Sequence, residues 1–316
     1  MSGLRTPRAD RPAAVRPEVY DAAWVEEMGG GGSNRAFRES AGRVLRPRLA
    51  RALALADLRP GLTVLDIGCG RGEVVFRACS AGASVAVGVD YAAASLGSAR
   101  DNLQALAGAD GSAGPWGLAG ADAKRLPFRD EAFDRVFLLD VVEHLHEWEL
   151  QEVWSEVRRV LRHDGFALVH TLPNRWAMDY GYRLARLAVP SLPASPPDKR
   201  DLFHVNEQSP PSLARSLARG GFASRIWLED LTLPQARFLA VHRLEGAPEL
   251  SALYRRLLDP RWGALYRLAC RLPTRLFLVT DLFALAWRPD GRPRLPAALP
   301  ANGAERLACI LGRLAA

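Results

Sequence analysis

From residue 62 onward, short apolar runs alternate with amphipathic helical stretches, and this alternation constrains the fold more than any other feature of the chain. Residues 62–67, 84–89, 116–121, 135–139 and 166–171 read as strands. The helices between them carry apolar residues at helical spacing, as in Leu96, Ala99, Leu103 and Leu106, or Leu150, Val153, Val157, Val160 and Leu161. Strands that are almost unbroken apolar runs, each followed by a helix, belong to a parallel sheet covered on both faces. The last of these helices is expected to end at Asp164-Gly165.

Around this rhythm the chain divides into segments. Residues 1–33, rich in Pro and Arg and ending in four glycines, read as a flexible N-terminal arm. Residues 34–60 read as a helical cap built on one helix over 37–58 that stops at Pro60-Gly61. The alternating core spans 61–173, and 174–208 is a Pro-interrupted excursion or lid. Ser209, followed by Pro210, caps a helix that makes up 209–231 together with a strand over 222–228. Residues 232–275 read as a helical insertion, 276–288 as a last core strand, and 289–316 as a tail ending in a short amphipathic helix.

A chain of 316 residues buries about three-quarters of its extended surface on folding and needs no disulfide. Cys69, Cys79, Cys270 and Cys309 have no metal or disulfide spacing, which points to a reducing, cytoplasmic setting. The N-terminal arginines stand among prolines with no apolar stretch beside them, and no run of 18 apolar residues occurs, so neither export nor a membrane span is expected. The net charge of +7 raises the question of nucleic acid. Apart from Lys124 and Lys199, however, the positive charge is all arginine, spread along the chain rather than gathered with aromatics, and nucleic acid is not expected as a partner.

The chemistry-bearing signal is the run from Val64 to Gly72, a strand entering the turn Asp66-Ile67-Gly68-Cys69-Gly70-Arg71-Gly72 and then a helix. Glycines suit a turn where a ligand must reach the backbone. The next strand ends at Asp90, from which a carboxylate can accept both hydroxyls of a ribose. With Gly88-Val89-Asp90, Asp122-Ala123, Leu126-Pro127-Phe128, Phe133-Asp134-Arg135-Val136, Glu143-His144-Leu145 and Asp164-Gly165, the set resembles, in order and spacing, the motifs of class I S-adenosylmethionine (SAM)-dependent methyltransferases, notably the small-molecule and ubiquinone-pathway members. Ala92 and Ala93 stand where many members carry a hydroxyl residue, and His163-Asp164 replaces a common Lys-Pro.

The resemblance implies an α/β fold: a doubly wound, mostly parallel, seven-stranded Rossmann-like sheet with an N-terminal helical cap and a helical insertion. It also implies SAM as cofactor, with Asp66 and the turn Gly68, Cys69, Gly70 and Gly72 at its methionine end. Asp90 would hold the ribose, Tyr91 would border the adenine, Asp122 with Ala123 would meet the adenine amino group, and Asp140 would close the site. A protein that only binds SAM is the competing class, separated by whether S-adenosylhomocysteine is ever formed.

Three readings of the acceptor side stay open. Asp140, Glu143 and His144 fall at i, i+3 and i+4, one face if a helix starts there, and the D-x-x-E-H pattern resembles the metal segment of ubiquinone-pathway catechol O-methyltransferases, implying Mg, Mn or Zn. Alternatively His144 is a general base, its ordinary pKa of about 6.5 suiting that task, or the segment is a packed turn. His204 is a second catalytic candidate facing the acceptor. Apolar and arginine residues interleaved over 174–208 and 232–273 point to a lid over a small lipophilic or aromatic acceptor, most simply methylated at oxygen, with carbon, nitrogen or RNA as alternatives; their apolar faces pack on the sheet with the arginines solvated, or else rest on a membrane surface. Nothing in the sequence sets an oligomeric state. Any RNA affinity is expected to fall only shallowly with added salt in a filter-binding titration; a slope implying several phosphate contacts would reverse the choice of a small acceptor.

Overall fold

The computed structural model describes residues 11–27, 32–107, 114–188, 204–242, 248–297 and 299. Seven strands, β1 (Thr63–Ile67), β2 (Val85–Asp90), β3 (Trp116–Gly120), β4 (Phe133–Leu139), β5 (Leu161–Thr171), β6 (Ala223–Glu229) and β7 (Asp281–Trp287), form one sheet in the order β3-β2-β1-β4-β5-β7-β6. All neighbours from β3 through β5 pair in parallel; β7 runs antiparallel between β5 and β6. The helices are α1 (Ala22–Glu27), α2 (Ser33–Glu39), α3 (Pro47–Leu55), α4 (Glu73–Ser80), α5 (Ala93–Leu106), α6 (Glu147–Val160), α7 (Tyr182–Ala188), α8 (Pro210–Arg219), α9 (Thr232–His242), α10 (Pro248–Leu258), α11 (Pro260–Ala269) and α12 (Arg275–Leu278).

Alternation along each strand divides the core in two. Leu65, Ile67, Val136, Leu138, Ala167 and Val169 face α6 and α8, meeting Leu150, Val153, Trp154, Leu213 and Leu217. Val64, Ala86, Phe137, Phe166, Leu168, Phe283 and Leu285 face the other way, onto Leu49, Leu55, Val74, Val75, Leu103 and Leu106 of α3, α4 and α5. The parallel sheet covered on both faces that the alternation predicts, and the doubly wound, seven-stranded form that the resemblance implies, are therefore present.

Several boundaries differ from expectation. The single helix over 37–58 is two helices, because Gly42 turns the chain at φ +77° where a Cβ would collide with the Phe76 ring, and Pro47 restarts it as α3. α6 ends at Val160, ahead of Asp164-Gly165: the carbonyls of Arg159 and Val160 accept from the N–H groups of Glu131 and Ala132, drawing Leu161 into pairing with Phe133. Residues 162–165 fall in the register shift that follows. The last strand starts at Asp281, since Asn174 Nδ2 donates to the carbonyls of Leu276 and Val279 and holds 275–278 as α12.

The arm at 1–33 is not loose where it is described: Tyr20 and Val25 are buried. Of 174–208, the stretch Ala177–Gly181 is a π-helix continuing into α7, and Asn206 N–H donates to the Glu143 carbonyl; 189–203 lies outside the described residues. The expected C-terminal amphipathic helix also lies outside them.

Trp154 ties α6 to α8 by donating its indole N–H to Ser216 Oγ at 3.0 Å while filling the core. Trp154→Ala is expected to cost about 3–5 kcal/mol, read as a lower urea midpoint at unchanged slope.

Candidate active site

The carboxyl ends of β1, β2 and β4 open into one pocket at the point where the strand order reverses. Asp66, Gly68, Cys69, Gly70, Asp90, Tyr91, Asp122, Ala123 and Asp140 line it, as does His144. Gly72 stands behind the wall at the start of α4, packed toward Ala99. At Gly68, φ is +71° and a Cβ would lie 2.5 Å from Val141 Cγ2, so only glycine lets the turn pass under the pocket floor. Asp90 braces the same turn, accepting from the N–H groups of Gly70 at 3.1 Å and Ala92 at 2.9 Å. Burial pushes its carboxyl up, and those hydrogen bonds work against the rise. Lys124 bridges Asp122 at 3.1 Å and the buried Glu149 at 2.6 Å, fixing the loop after β3 against α6.

Two buried ionisable groups of the pocket have no hydrogen-bond partner among the described residues. Asp66 is 3% exposed, and among the described residues no donor or cation meets its carboxylate. Burial, and then the neighbouring Glu73 and Asp90, push it well above the usual carboxylate range. Glu73 itself is neutralised by Arg71 at 2.9 Å. Arg46, 6% exposed, also lines the pocket, and its Nε and Nη1 have no hydrogen-bond partner among the described residues. Burial, with Arg48 and Arg71 nearby, pulls its guanidinium down to about 9.

On the acceptor side, Asp140 sits at φ +59° with its carboxylate shared between Arg48 Nε at 2.6 Å and His170 Nδ1 at 2.5 Å. Both partners direct it away from the expected cluster with Glu143 and His144. The structure instead brings His204 to them: one ligand atom from each of Glu143, His144 and His204 lies within 4.8 Å of the others, and the two imidazole rings are 5.0 Å apart. Glu143 is buried and accepts from Thr171 Oγ1 at 2.7 Å. Burial first, and then the charge of Asp140, pushes it up to about 8. His144 Nδ1 lies 3.2 Å from the Tyr20 hydroxyl.

Tyr20 belongs to a strap that crosses the mouth. Arg11 pairs with Glu152 at 3.4 Å, the Ala13 carbonyl meets His146 Nε2 at 3.0 Å, and the Tyr91 hydroxyl donates to the Val15 carbonyl at 3.4 Å. Val15, Tyr20 and Trp24 then complete the wall.

Residues 64–165 match the family model of a methyltransferase domain. That segment is a methyltransferase domain of the class I SAM-dependent kind. The 27-O-demethylrifamycin SV methyltransferase of Amycolatopsis mediterranei (strain S699) is 31% identical over 151 residues, 47% of this chain and 52% of that protein. A ubiquinone/menaquinone biosynthesis C-methyltransferase of Acidiphilium cryptum (strain JF-5) is 33% identical over 113 residues, 36% of this chain and 43% of that one. The chain thus spans about half the length of the curated relatives it matches. Among solved structures, the geranyl diphosphate C-methyltransferase of Streptomyces coelicolor A3(2) aligns with a TM-score of 0.50 at 17% identity, covering 88% of this chain and 91% of that one, a likeness of fold.

The sequence motifs did not point to Tyr20, Trp24, Arg46 or Glu73. Tyr20 and Trp24 are spaced i, i+4 in a segment whose proline and arginine content masks them, and Arg46 is visible only as the residue before the Pro47 helix start.

The network behind Asp140 generates a pH signature. Burial opposes charge on His170, but Asp140 and then Asp281 outweigh it and hold the imidazole up to about 9, above its ordinary 6.5. A pKa raised by folding gives stability that is full below 6.5 and lost as pH rises through about 9, and the raised Glu143 adds in the same direction. The melting temperature is expected to fall across that window, and the fall to shrink in His170→Gln; equal slopes in the two proteins would contradict the assignment.

Proposed function

We propose that this protein transfers the methyl group of SAM to a small lipophilic acceptor, with oxygen as the acceptor atom. The observation that carries the reading is that Asp66 and Arg46, both buried and without a hydrogen-bond partner among the described residues, line the same pocket. A buried charge without a partner is costly. The amino-acid end of SAM, with its ammonium and carboxylate, supplies the complement of both. Asp90 is oriented by Gly70 and Ala92 toward the ribose, and Tyr91, Asp122 and Ala123 line the remaining wall for the adenine.

SAM when bound supplies an electrophilic methyl on a sulfonium, so the protein's task is chiefly to position the acceptor and to take its proton. His144 at the pocket wall, with His204 beside it and Glu143 behind, is the group suited to receive that proton. The same base serves a carbon acceptor, which releases its proton after the methyl arrives; the relatives named as C-methyltransferases keep that alternative open. The convergence of Glu143, His144 and His204 supports a second reading, in which they hold Mg, Mn or Zn. Activity that survives chelation unchanged would remove that reading and leave the base.

Three measurements test the proposal. Asp90→Ala is expected to weaken SAM binding in calorimetry by roughly ten- to a hundredfold. Arg46→Gln is expected to weaken S-adenosylhomocysteine by about tenfold or more while leaving 5′-methylthioadenosine, which lacks the amino-acid end, unchanged. Asp66→Asn is expected to raise the melting temperature of the empty protein while lowering SAM affinity. Normal SAM uptake with no S-adenosylhomocysteine formed across an acceptor panel would make the protein a binding module.

A further inference from the structure

The helices between β6 and β7 leave an apolar face in water. On α11, Gly263, Tyr266 and Cys270 point inward, with the Tyr266 hydroxyl 2.9 Å from both Asp230 Oδ1 and Thr232 Oγ1. The helical period puts Trp262, Leu265 and Leu268 on the opposite side, 38%, 56% and 57% exposed, and Leu272 in the turn beyond is 51% exposed. Apolar side chains exposed side by side along one face mark a contact surface.

The charge around the stripe identifies what covers it. Arg255, Arg256, Arg261, Arg267 and Arg271 are all exposed, and from 255 to 280 the sole acidic residue is Asp259. Asp259 is spent as the N-cap of α11, accepting from the N–H groups of Arg261 and Trp262. A second copy of the chain would set this cluster of arginines against itself. A nucleic acid would meet the arginines and leave the leucines wet. An anionic lipid surface takes both, with apolar side chains below the headgroups and guanidinium groups among the phosphates. At ten residues α11 is about 15 Å long, suited to lying on a bilayer and too short to cross it.

We propose that α11 and the turn after it dock this protein on an anionic membrane surface. The contact extends toward the acceptor side: Phe277 of α12 lies 5.7 Å, ring to ring, from Tyr180, which is exposed, as is Leu184 one turn further on. The inference stands on this surface alone and not on the methyl-transfer reading, so loss of one leaves the other intact.

The test is co-sedimentation of the full chain with vesicles of phosphatidylcholine alone or mixed with phosphatidylglycerol. Wild type is expected to partition at least about tenfold more onto the mixed vesicles, at roughly fivefold per engaged arginine, and to be released by salt. Leu265→Glu/Leu268→Glu is expected to lose about tenfold or more of that binding, and Arg267→Gln/Arg271→Gln the preference for phosphatidylglycerol, both with unchanged melting and S-adenosylhomocysteine binding. Should the leucine variant not fold, Leu272→Glu, outside the helix, replaces it. Equal sedimentation with both vesicle types, wild-type binding by the variants, or a leucine variant whose sole effect is dissociation of a dimer in sedimentation velocity would each overturn the proposal, the last in favour of self-association.

Discussion

Asp140 stands at φ +59°, in the left-handed region that costs a residue with a side chain about 1–3 kcal/mol, at the corner where β4 leaves the sheet. Its N–H donates to the His170 carbonyl, and its carboxylate is gripped by Arg48 and the His170 ring, whose far nitrogen lies 3.2 Å from Asp281. One residue thereby joins α3, β4, β5 and β7. Burial works against the charged carboxylate, yet Arg48 and then His170 hold it well below the usual carboxylate range, so it stays ionised and the grip persists. The corner sets Val141 under Gly68 and delivers Glu143 and His144 to the acceptor side. Without it, the glycine turn would lose its floor and His144 its mounting at the pocket.

Against this fully paired network stands the neighbouring pair that is not paired at all. Asp66 and Arg46 line the same pocket as Asp140, and among the described residues neither has a hydrogen-bond partner. A protein with only a modest margin of stability tolerates such a cost where the rest of the structure over-determines the site. Here the two-faced core beneath the pocket and the Arg71–Glu73 pair beside it provide that surplus.

Much of the sheet was legible because its strands obey a single rule, apolar on both faces, and the sequence carries that rule from Val64 to Val169 with little interruption. The convergence of Asp66, Gly68, Asp90 and Asp122 on one pocket was legible for a related reason: a glycine turn, a strand-end acid and a loop acid lie at fixed offsets in one βαβ progression. What escaped was set by contacts distant in sequence. The end of α6 is decided by Glu131 and Ala132, which no local propensity of Asp164-Gly165 reports. Asp140 fell in the expected metal pattern, but Arg48, more than ninety positions earlier, claims its carboxylate. His204 replaces it beside Glu143 through Asn206, whose N–H reaches the Glu143 carbonyl. Tyr20 lies in a stretch whose composition resembles a linker and whose order comes from the pocket it covers.

β6 and β7 are antiparallel neighbours whose paired ends, Glu229 and Asp281, face each other across a ladder position. Topologically they are the two arms of a hairpin, and everything from 230 to 280 is its loop. The entropy of closing a loop grows only with the logarithm of its length, each doubling adding about 0.6 kcal/mol. A short reverse turn can therefore be exchanged for three or four helices at little cost to the sheet, since the ladder on either side already holds the ends together. That makes this hairpin a point where new surfaces can be acquired or lost by insertion and deletion, while the strands carrying the pocket, on the far side of β5, keep their register.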